Sequence, residues 1–437
     1  MSNIMILDRQ IIPSASRMMK SLRSLGYDFS QAVADLVDNS IEADATTIAI
    51  DVEFDGENSR LRIADDGVGM PLAQLQEAMR FGSEKLYDYE EGLGKFGLGL
   101  KTASLSQCQR LSVASWVSSN TVHSYCWDIN HVEKTNKWEL IIPNQKDIQR
   151  ILGERSFGKT GTAILWQHLD KMFRFKDPYG RPAQNELNNA SRDLEQHLAM
   201  VFHRYLAGEV PGKKLRILLN GNPIEPWDPF ARGEPKTQEL KPISVRVEYE
   251  GVAGTVILQP YILPHETEFS SPDAWRKATG PAKWNQQQGF YVYRANRLIQ
   301  SGGWSGLRTL DEHTKLARIS LNFSPHLDDA FGINVAKMKV QIPSQIKERI
   351  EKTIKPIAKQ AEDVYRKGRQ KQGASSVPPT PKSTSSYTST SVPETQPIPK
   401  KLWTLDEIQS RLDKIASADE KATIAKVFSR LRKELNQ

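Results

Sequence analysis

The chain has 437 residues, of which 38% are apolar and 25% are charged. This composition is typical of a water-soluble globular protein that divides into more than one domain. No stretch approaches the roughly 18 uninterrupted apolar residues of a membrane-spanning helix, and the first residues lack the pattern of a secretory leader. We therefore expect a cytoplasmic protein with no membrane contact.

The net charge of +7 is concentrated towards the C-terminus. Residues 345–371 contain nine basic and four acidic side chains, and residues 400–437 contain nine and six. The part of the chain before residue 345 is close to neutral. A basic arm of this kind suits DNA or another polyanion, but solvated helix faces have the same composition, so both interpretations stay open.

A helix is predicted near residues 29–43, with four polar residues at offsets of 0, 3, 4 and 7: Asp35, Asp38, Asn39 and Glu42. This spacing places them on one face, and apolar residues occupy the other. Carboxylates so close repel one another by a few tenths of a kcal/mol per pair. A bound cation would relieve the repulsion, although an acidic face in contact with water is the alternative.

The next pattern is a strand, SRLRIA, that runs directly into the segment DDGVGM. Asp65 at the strand end can accept a hydrogen bond from an exocyclic amine. Gly67 and Gly69 expose the backbone, so that it can lie against a flat ring beside Met70. A turn without any ligand could contain the same residues, because Asp and Gly are common in turns.

The segment EGLGKFGLGLKTAS combines glycines with a lysine and the start of a predicted helix. Backbone amides without neighbouring side chains, a helix N-terminus and a lysine together form a phosphate cradle. Gly92, Gly94 and Gly97 also satisfy the dinucleotide fingerprint GxGxxG, but the preceding residues do not form the buried strand that it needs. Further on, GTAILWQ brings Thr162 to the start of a strand.

The second part of the body follows a long helical pattern from about Gln184 to Tyr205. Its predicted strands are KLRILLN, SVRVEYEG, GTVILQPYI, FYVYRANRLI and LARISLNF, and a helix starts near Pro343. Glycines around Trp304 are typical of a contact loop with an exposed aromatic side chain.

We predict four regions. Residues 1–205 form the nucleotide domain, residues 206–371 form a smaller domain that ends in a helix, residues 372–400 form a disordered Pro/Ser/Thr linker, and residues 401–437 form a helical interaction module. Two short helices bury little surface alone, so the last region is expected to dock onto a protein partner or onto another copy of the chain.

In this order, ADLVDNSIEADA, DDGVGM, GLGKFGLGLK and GTAILW resemble the four nucleotide motifs of the GHKL ATPases (gyrase B, heat-shock chaperones, histidine kinases and MutL). The similarity is closest to the MORC and MutL branch and covers roughly residues 10–350. It implies an α+β chain with a Bergerat-type helix and mixed-sheet sandwich, followed by an S5-like transducer domain.

The resemblance implies ATP and Mg²⁺ as ligands. Asn39 would hold the metal, and Asp65 would bind the adenine amine, partly through a water shared with Thr162. The remaining ATP-binding positions would be Gly67, Gly69, Met70, Gly94, Lys95, Phe96, Gly97, Leu98, Gly99 and Lys101. Residues 82–99 would form the lid.

Two catalytic positions follow from the same resemblance. Asp35 stands where the family usually has a glutamate that activates the attacking water, and Lys337, with Lys339 as the alternative, would reach the terminal phosphate from the second domain. Aspartate is one methylene shorter, and a general base must come within about 2.6–3.2 Å of the proton it takes. We therefore expect slow turnover, with Asp38 or Glu42 as alternative bases.

The function implied is an ATP-driven homodimerisation switch, MutL-like or MORC-like, in a DNA-related or bacterial defence process. A chaperone and a nucleotide-sensing adaptor that hardly hydrolyses ATP are the alternatives. A histidine kinase is less favoured, because the segment before the first motif is too short for its phosphorylated helical hairpin.

Overall fold

The computed structural model describes residues 12–24, 26–82, 99–119, 121–153, 158–172, 174–333 and 340–375, together with residues 421, 425 and 428. The chain forms two compact units, Met1–Val377 and Pro378–Gln437. The three described residues of the second unit are helical. The architecture below is that of the first unit.

The first part of this unit is a helix-covered sheet. Its helices are α1 (Ala15–Leu22), α2 (Phe29–Glu42), α3 (Leu72–Met79), α4 (Gly99–Gln107), α5 (Ile129–Thr135), α6 (Gln145–Leu152), α7 (Arg181–Val201) and α8 (His203–Leu206). Its strands are β1 (Thr47–Glu53), β2 (Arg60–Asp65), β3 (Arg110–Trp116), β4 (Val122–Asp128), β5 (Gly161–Gln167), β6 (Arg216–Leu219) and β7 (Asn222–Pro223).

The strand order of this first sheet is β4-β3-β5-β2-β1-β6-β7. Strands β1 and β6 run parallel and the other neighbours run antiparallel. The sequence pattern had placed the strand KLRILLN in the second part of the body. It instead forms β6 and pairs with β1, so the first sheet extends beyond residue 205. Parallel strands need a long connection, and a parallel partner for β1 can therefore come from far along the chain.

Alternation along the central strands decides which residues face the large helices. In β2, Leu61 and Ile63 lie in the core shared with α2, α4 and α7, whereas Ala64 packs in a small cluster with Ile151 of α6. Asp65 has the same parity as Leu61 and Ile63 and therefore points towards α2. The sheet thus positions a carboxylate beneath the first helix.

The second part, called the second layer below, is a smaller sheet with its own helices and its own hydrophobic core. Its strands are β8 (Gln238–Glu239), β9 (Ile243–Tyr249), β10 (Val252–Ile262), β11 (Gly289–Arg294), β12 (Arg297–Ser301) and β13 (Ala317–Phe323), and its helices are α9 (Pro272–Thr279) and α10 (Ser344–Ser375). The order is β12-β11-β13-β10-β8, with β9 also paired to β10. Short 3₁₀ turns occur at Gly56–Asn58, Glu266–Glu268, Trp284–Gln286, Glu312–Thr314 and Pro325–Leu327.

Helix α10 closes the second core with one apolar stripe. Buried residues recur along it at helical spacing: Ile346, Ile350, Ile354, Ile357, Ala361 and Tyr365. The predicted helix near Pro343 is confirmed, as is the long helix that became α7. The segment KWELII does not form a named strand and contributes one isolated bridge, between Cys126 and Ile141.

The expectation of an exposed aromatic side chain at Trp304 is wrong. The side chain is 2% exposed, packs edge-on against Phe290, and donates from Nε1 to Gln288 Oε1 at 3.1 Å. The glycines around it have positive φ angles and allow the chain to turn so that the indole enters the core. The α+β fold class predicted from the sequence is confirmed.

Candidate functional site

Helix α2 buries its first two acidic residues. It begins where the Asp28 side chain caps the Gln31 N–H, and Asp35 and Asp38 are 4% and 1% exposed. An acidic face in contact with water, the alternative interpretation, therefore does not hold for these two residues. Asn39 is half-buried, and Glu42 is exposed.

Two side chains hold the Asp35 carboxylate from opposite directions. Tyr27 Oη donates to Oδ2 at 3.0 Å, and Arg297 Nη2 lies 3.4 Å from Oδ1. Burial, followed by the charge of Asp35, raises the pKa of Tyr27, so the phenol stays protonated and keeps donating. Arg297 also donates from Nε to Asp38 at 2.9 Å.

Asp65, Thr162 and Ser115 form one row across β2, β5 and β3. Asp65 is opposite Thr162, and Thr162 is opposite Ser115. The Thr162 N–H donates to Asp65 Oδ1 at 3.2 Å, and the Ser115 and Thr162 hydroxyls are 2.9 Å apart. The structure therefore brings together the two base-binding residues predicted from separate motifs.

The Asp65 carboxylate is buried but well supplied with donors. Oδ1 also accepts from the Gly67 N–H at 3.0 Å, and Oδ2 accepts from Ser40 Oγ at 2.9 Å. Burial raises the pKa of Asp65, although these hydrogen bonds oppose the rise. A carboxylate can accept about four hydrogen bonds. With three donors from the described residues, one acceptor position remains for a ligand amine.

The glycines of DDGVGM allow close backbone packing. A Cβ on Gly67 would lie 2.6 Å from the Ala43 carbonyl oxygen, and one on Gly69, where φ is +70°, would lie 2.0 Å from the Trp116 carbonyl oxygen. The Met70 N–H donates to Ser115 Oγ at 2.8 Å, which ties the turn to the Asp65 row. The predicted loop thus borders the site, and its glycines are needed for the fold itself.

The start of α4 lies beside the acidic helix. A Cβ on Gly99 would lie 4.0 Å from Asp35 Oδ2, so the N-terminal end of α4 and the proposed base are neighbours. Unpaired N–H groups at such an end attract anions. The predicted positions Gly94, Lys95, Phe96, Gly97 and Leu98, and most of the lid, lie outside the described residues.

Lys101 is buried on α4, with 2% of its surface exposed. Its Nζ donates to the carbonyl oxygen of Ala78, near the end of α3, at 2.9 Å. Burial lowers the pKa of Lys101 to about 8, an effect that the charge of Glu77 opposes. Lys337 and Lys339, the candidates for the terminal phosphate, lie outside the described residues.

A second phosphate-like motif does not have the context of a phosphate site. Residues 153–160, GERSFGKT, satisfy the GxxxxGK[ST] spacing of a P-loop. A P-loop joins a strand to a helix, whereas this segment follows helix α6 and enters strand β5. Thr160 Oγ1 donates instead to the Gly67 carbonyl at 2.6 Å, which supports the DDGVGM turn.

Sequence reasoning missed four residues of the site: Tyr27, Ser40, Ser115 and Arg297. Ser115 follows Leu111 and Val113 on the same strand face, so alternation indicates which face it occupies, but only the register between β3 and β5 places it in the row. Ser40 falls on the apolar side of α2, where a single hydroxyl among buried residues is a weak signal. Tyr27 and Arg297 reach Asp35 from other elements, and no local pattern indicates them.

Residues 27–162 match the family model of histidine kinase-, DNA gyrase B- and HSP90-like ATPases. The matched segment begins at the tyrosine that binds Asp35 and ends at the threonine of the Asp65 row. The resemblance to the GHKL ATPases is confirmed. Beyond residue 162 the resemblance, including the S5-like domain, stays a prediction.

Individual relatives of the chain point to the predicted branch. DNA mismatch repair protein MutL of Haemophilus influenzae (strain PittEE) is 34% identical over 96 residues, which are 21% of this chain and 15% of that protein. MutL of Actinobacillus succinogenes is 38% identical over 90 residues, 20% and 14% of the two chains. ATPase morc-1 of Caenorhabditis elegans is 36% identical over 73 residues, which are 17% of this chain and 8% of that protein. The matches therefore span less than a fifth of each relative's length.

Among the described ranges, no helix combines the length and the apolar composition needed to cross a lipid bilayer.

Proposed function

We propose that this protein binds ATP with Mg²⁺ between α2, β2 and α4, hydrolyses it slowly, and uses the cycle as a dimerisation switch. The observation that carries the proposal is the Asp65 carboxylate. It is buried beneath α2, lies inside the matched ATPase segment, and retains an acceptor position for the adenine amine. A hydroxyl from Thr162 stands beside it for a bridging water.

The phosphates would lie along the start of α4. The N–H groups of this end, together with the helix dipole, favour negative charge. Gly99 leaves the backbone bare next to Asp35, and the glycines at 94 and 97 would close over the phosphates as the lid. Lys101 would exchange its contact with the Ala78 carbonyl for a phosphate oxygen.

Mg²⁺ fits the chemistry of the site. The ion prefers oxygen ligands and is usually held by one or two protein oxygens together with phosphates and water. The half-buried amide of Asn39, one residue after Asp38, supplies such an oxygen. When bound, the ion would neutralise charge on the phosphates.

The Asp35 carboxylate would take the proton of the attacking water. Its two oxygens are held by Tyr27 and Arg297, which fixes its orientation and restricts its reach. Because aspartate is short, an additional water would be needed between the carboxylate and the nucleophile. Slow hydrolysis follows, whereas nucleotide binding depends on other residues.

ATP binding is tested with Asp65→Asn. The amide keeps an oxygen for the Gly67 and Thr162 N–H groups and turns an NH₂ towards Ser40, whose hydroxyl can accept. The fold should therefore survive while the ligand meets a donor where it needs an acceptor. Hydrogen bonds to a charged group contribute about 1.5–3 kcal/mol, so we expect ATP affinity to fall roughly tenfold to a hundredfold.

The matched control is Asp66→Asn. Asp66 accepts from the backbone N–H groups of Thr46 and Thr47 and from the Thr46 hydroxyl, which places it on the other side of the strand end. This variant should bind labelled ATP like the parent. Undiminished affinity in Asp65→Asn would refute the proposed site.

The switch itself needs the second layer and a second chain. In this proposal a lysine, Lys337 or Lys339, contacts the terminal phosphate when the lid closes, and two chains then associate. Such a cycle acts by shifting the population between the open and the associated state, and it does not need many turnovers. Weak catalysis is therefore sufficient. An unchanged mass in light scattering with and without a nonhydrolysable ATP analogue would refute the dimerisation step.

The relatives include a protein named for DNA mismatch repair, which favours a DNA-related process, with bacterial defence as the other prediction for this branch. A chaperone or an adaptor would use the same pocket. Steady-state turnover separates the three, because DNA should stimulate a DNA-acting ATPase, unfolded protein should stimulate a chaperone, and neither should stimulate an adaptor.

DNA contact through the basic C-terminal arm is tested without removing α10, since that helix fills the second core. Deleting residues 378–437 tests the second unit. Lys352→Glu with Lys355→Glu tests the surface of α10, where these side chains are 72% and 64% exposed. Lys137→Glu, 70% exposed, is the control. Affinity for DNA across a salt series should fall in the first two proteins and not in the control.

A further inference from the structure

The turn between β11 and β12 reaches from the second layer into the first. Its two residues, Ala295 and Asn296, have φ angles of 44° and 64°, and a two-residue turn with both φ angles positive fits the twist of a hairpin. Tyr205 Oη donates to the Ala295 carbonyl at 2.8 Å, and Arg204 Nη1 donates to Asn296 Oδ1 at 3.2 Å. Helix α8 thus holds this turn in place.

Arg297, the first residue of β12, extends from this turn to helix α2. Its Nε donates to Asp38 and its Nη2 lies 3.4 Å from Asp35, so one guanidinium spans two carboxylates one helical turn apart. All three side chains are buried, with 5%, 1% and 4% exposure. The ring of Phe202 lies beneath the guanidinium, 5.8 Å away.

Only arginine has the geometry to contact Asp35 and Asp38 at the same time in this way. Nε and Nη2 lie on one edge of a planar group and point in fixed directions, so they can hold two acceptors at once. Tyr27 already fixes the other oxygen of Asp35. The direction of that carboxylate therefore depends on a residue 262 positions later in the chain, and on whether its turn remains held in place.

We infer that Arg297 is a positioning residue for hydrolysis, through which the second layer sets the orientation of Asp35. The inference rests on the proposed ATPase function and adds a route by which movement of the second layer reaches the reaction. Nucleotide binding is not expected to depend on Arg297, because the donors that surround Asp65 come from α2, the DDGVGM turn and β5.

The test compares Arg297→Gln, Arg297→Lys and the parent, as full-length chains. Affinity for a nonhydrolysable ATP analogue and the single-turnover rate at saturating ATP are measured separately. We expect affinity to stay within threefold of the parent and the rate to fall at least tenfold in Arg297→Gln. Arg297→Lys should recover part of the rate, since an ammonium can pair with one carboxylate at a time.

A second variant covers the case in which Arg297→Gln fails to fold with two buried carboxylates left facing each other. Asp38→Asn combined with Arg297→Gln removes one charge of each sign and should fold, yet Asp35 would still lack its guanidinium partner, so hydrolysis should remain slow. The control is Arg62→Gln, which removes an arginine paired with Asp51 at the first sheet, away from α2. Its rate should match the parent.

A parental single-turnover rate in a folded Arg297→Gln or double variant would overturn the inference and leave the proposed function intact. A loss of affinity equal to the loss of rate would overturn it as well, because the effect would then be general. If the parent itself neither binds nor hydrolyses ATP, both the proposed function and this inference fall.

Discussion

Lys101→Met tests whether the lysine that we propose binds phosphate is kept at a cost to stability. The side chain is 2% exposed, and burial lowers its pKa from 10.5 to about 8. Since one pKa unit corresponds to 1.36 kcal/mol, holding the charged form inside the folded protein costs about 3 kcal/mol at neutral pH. The hydrogen bond to the Ala78 carbonyl returns about 1 kcal/mol. Methionine, of similar length, should therefore stabilise the ligand-free protein by about 2 kcal/mol or less, since Lys101 also makes a further interaction that methionine would lose.

The cost of the buried Lys101 charge depends on pH. Below pH 8 the lysine is protonated in both states, so the full cost is present. Between pH 8 and 10.5 the folded protein releases the proton that the unfolded chain keeps, and the parent gains stability as the pH rises. The methionine variant lacks this gain, so its advantage should shrink from pH 7 to pH 9.5.

The assay is urea unfolding of parent and variant at both pH values, since other titrating groups cancel in the difference. Lys20→Met, at a lysine whose side chain is 62% exposed, is the control and should show no such change. ATP affinity of Lys101→Met should fall about tenfold, in line with the loss of one charge-assisted hydrogen bond. A variant less stable than the parent at pH 7, or an advantage that is independent of pH, would refute the reasoning.

Three further outcomes are expected. Gly69→Ala should lose about 1–3 kcal/mol more unfolding free energy than Gly208→Ala. Both glycines have a φ of +70°, but only a Cβ on Gly69 would meet a carbonyl oxygen, that of Trp116 at 2.0 Å. Equal losses of stability in urea unfolding would contradict this steric explanation. Ser115→Ala should destabilise the fold by about 1–3 kcal/mol, since it leaves a backbone N–H of the DDGVGM turn without its acceptor, and it should weaken ATP binding in the same titration used for the parent. Asp35→Asn should retain ATP binding and lose single-turnover hydrolysis, and a parental rate would place the base elsewhere, at Asp38 or Glu42 in particular.

Much of the geometry of the candidate site was predictable because its signals are local. The offsets within α2 placed Asp35 and Asp38 on one helical face, and the strand ending in Asp65 identified an inward carboxylate before a glycine turn. Each of these patterns depends on the period of a single helix or strand, which neighbouring residues determine. The match of residues 27–162 to an ATPase family covers the segments in which those patterns occur.

The sequence by itself thus determined the resemblance to the GHKL ATPases, the α+β class, and which residues of each single element share a face with the candidate site. Only the tertiary structure decided that Ser115 completes the Asp65 row, that β6 belongs to the first sheet, and that Asp35 is held by Tyr27 and Arg297. The physical reason is the separation along the chain. A contact between residues 259 or 262 positions apart depends on how two layers pack, and no local periodicity carries that information.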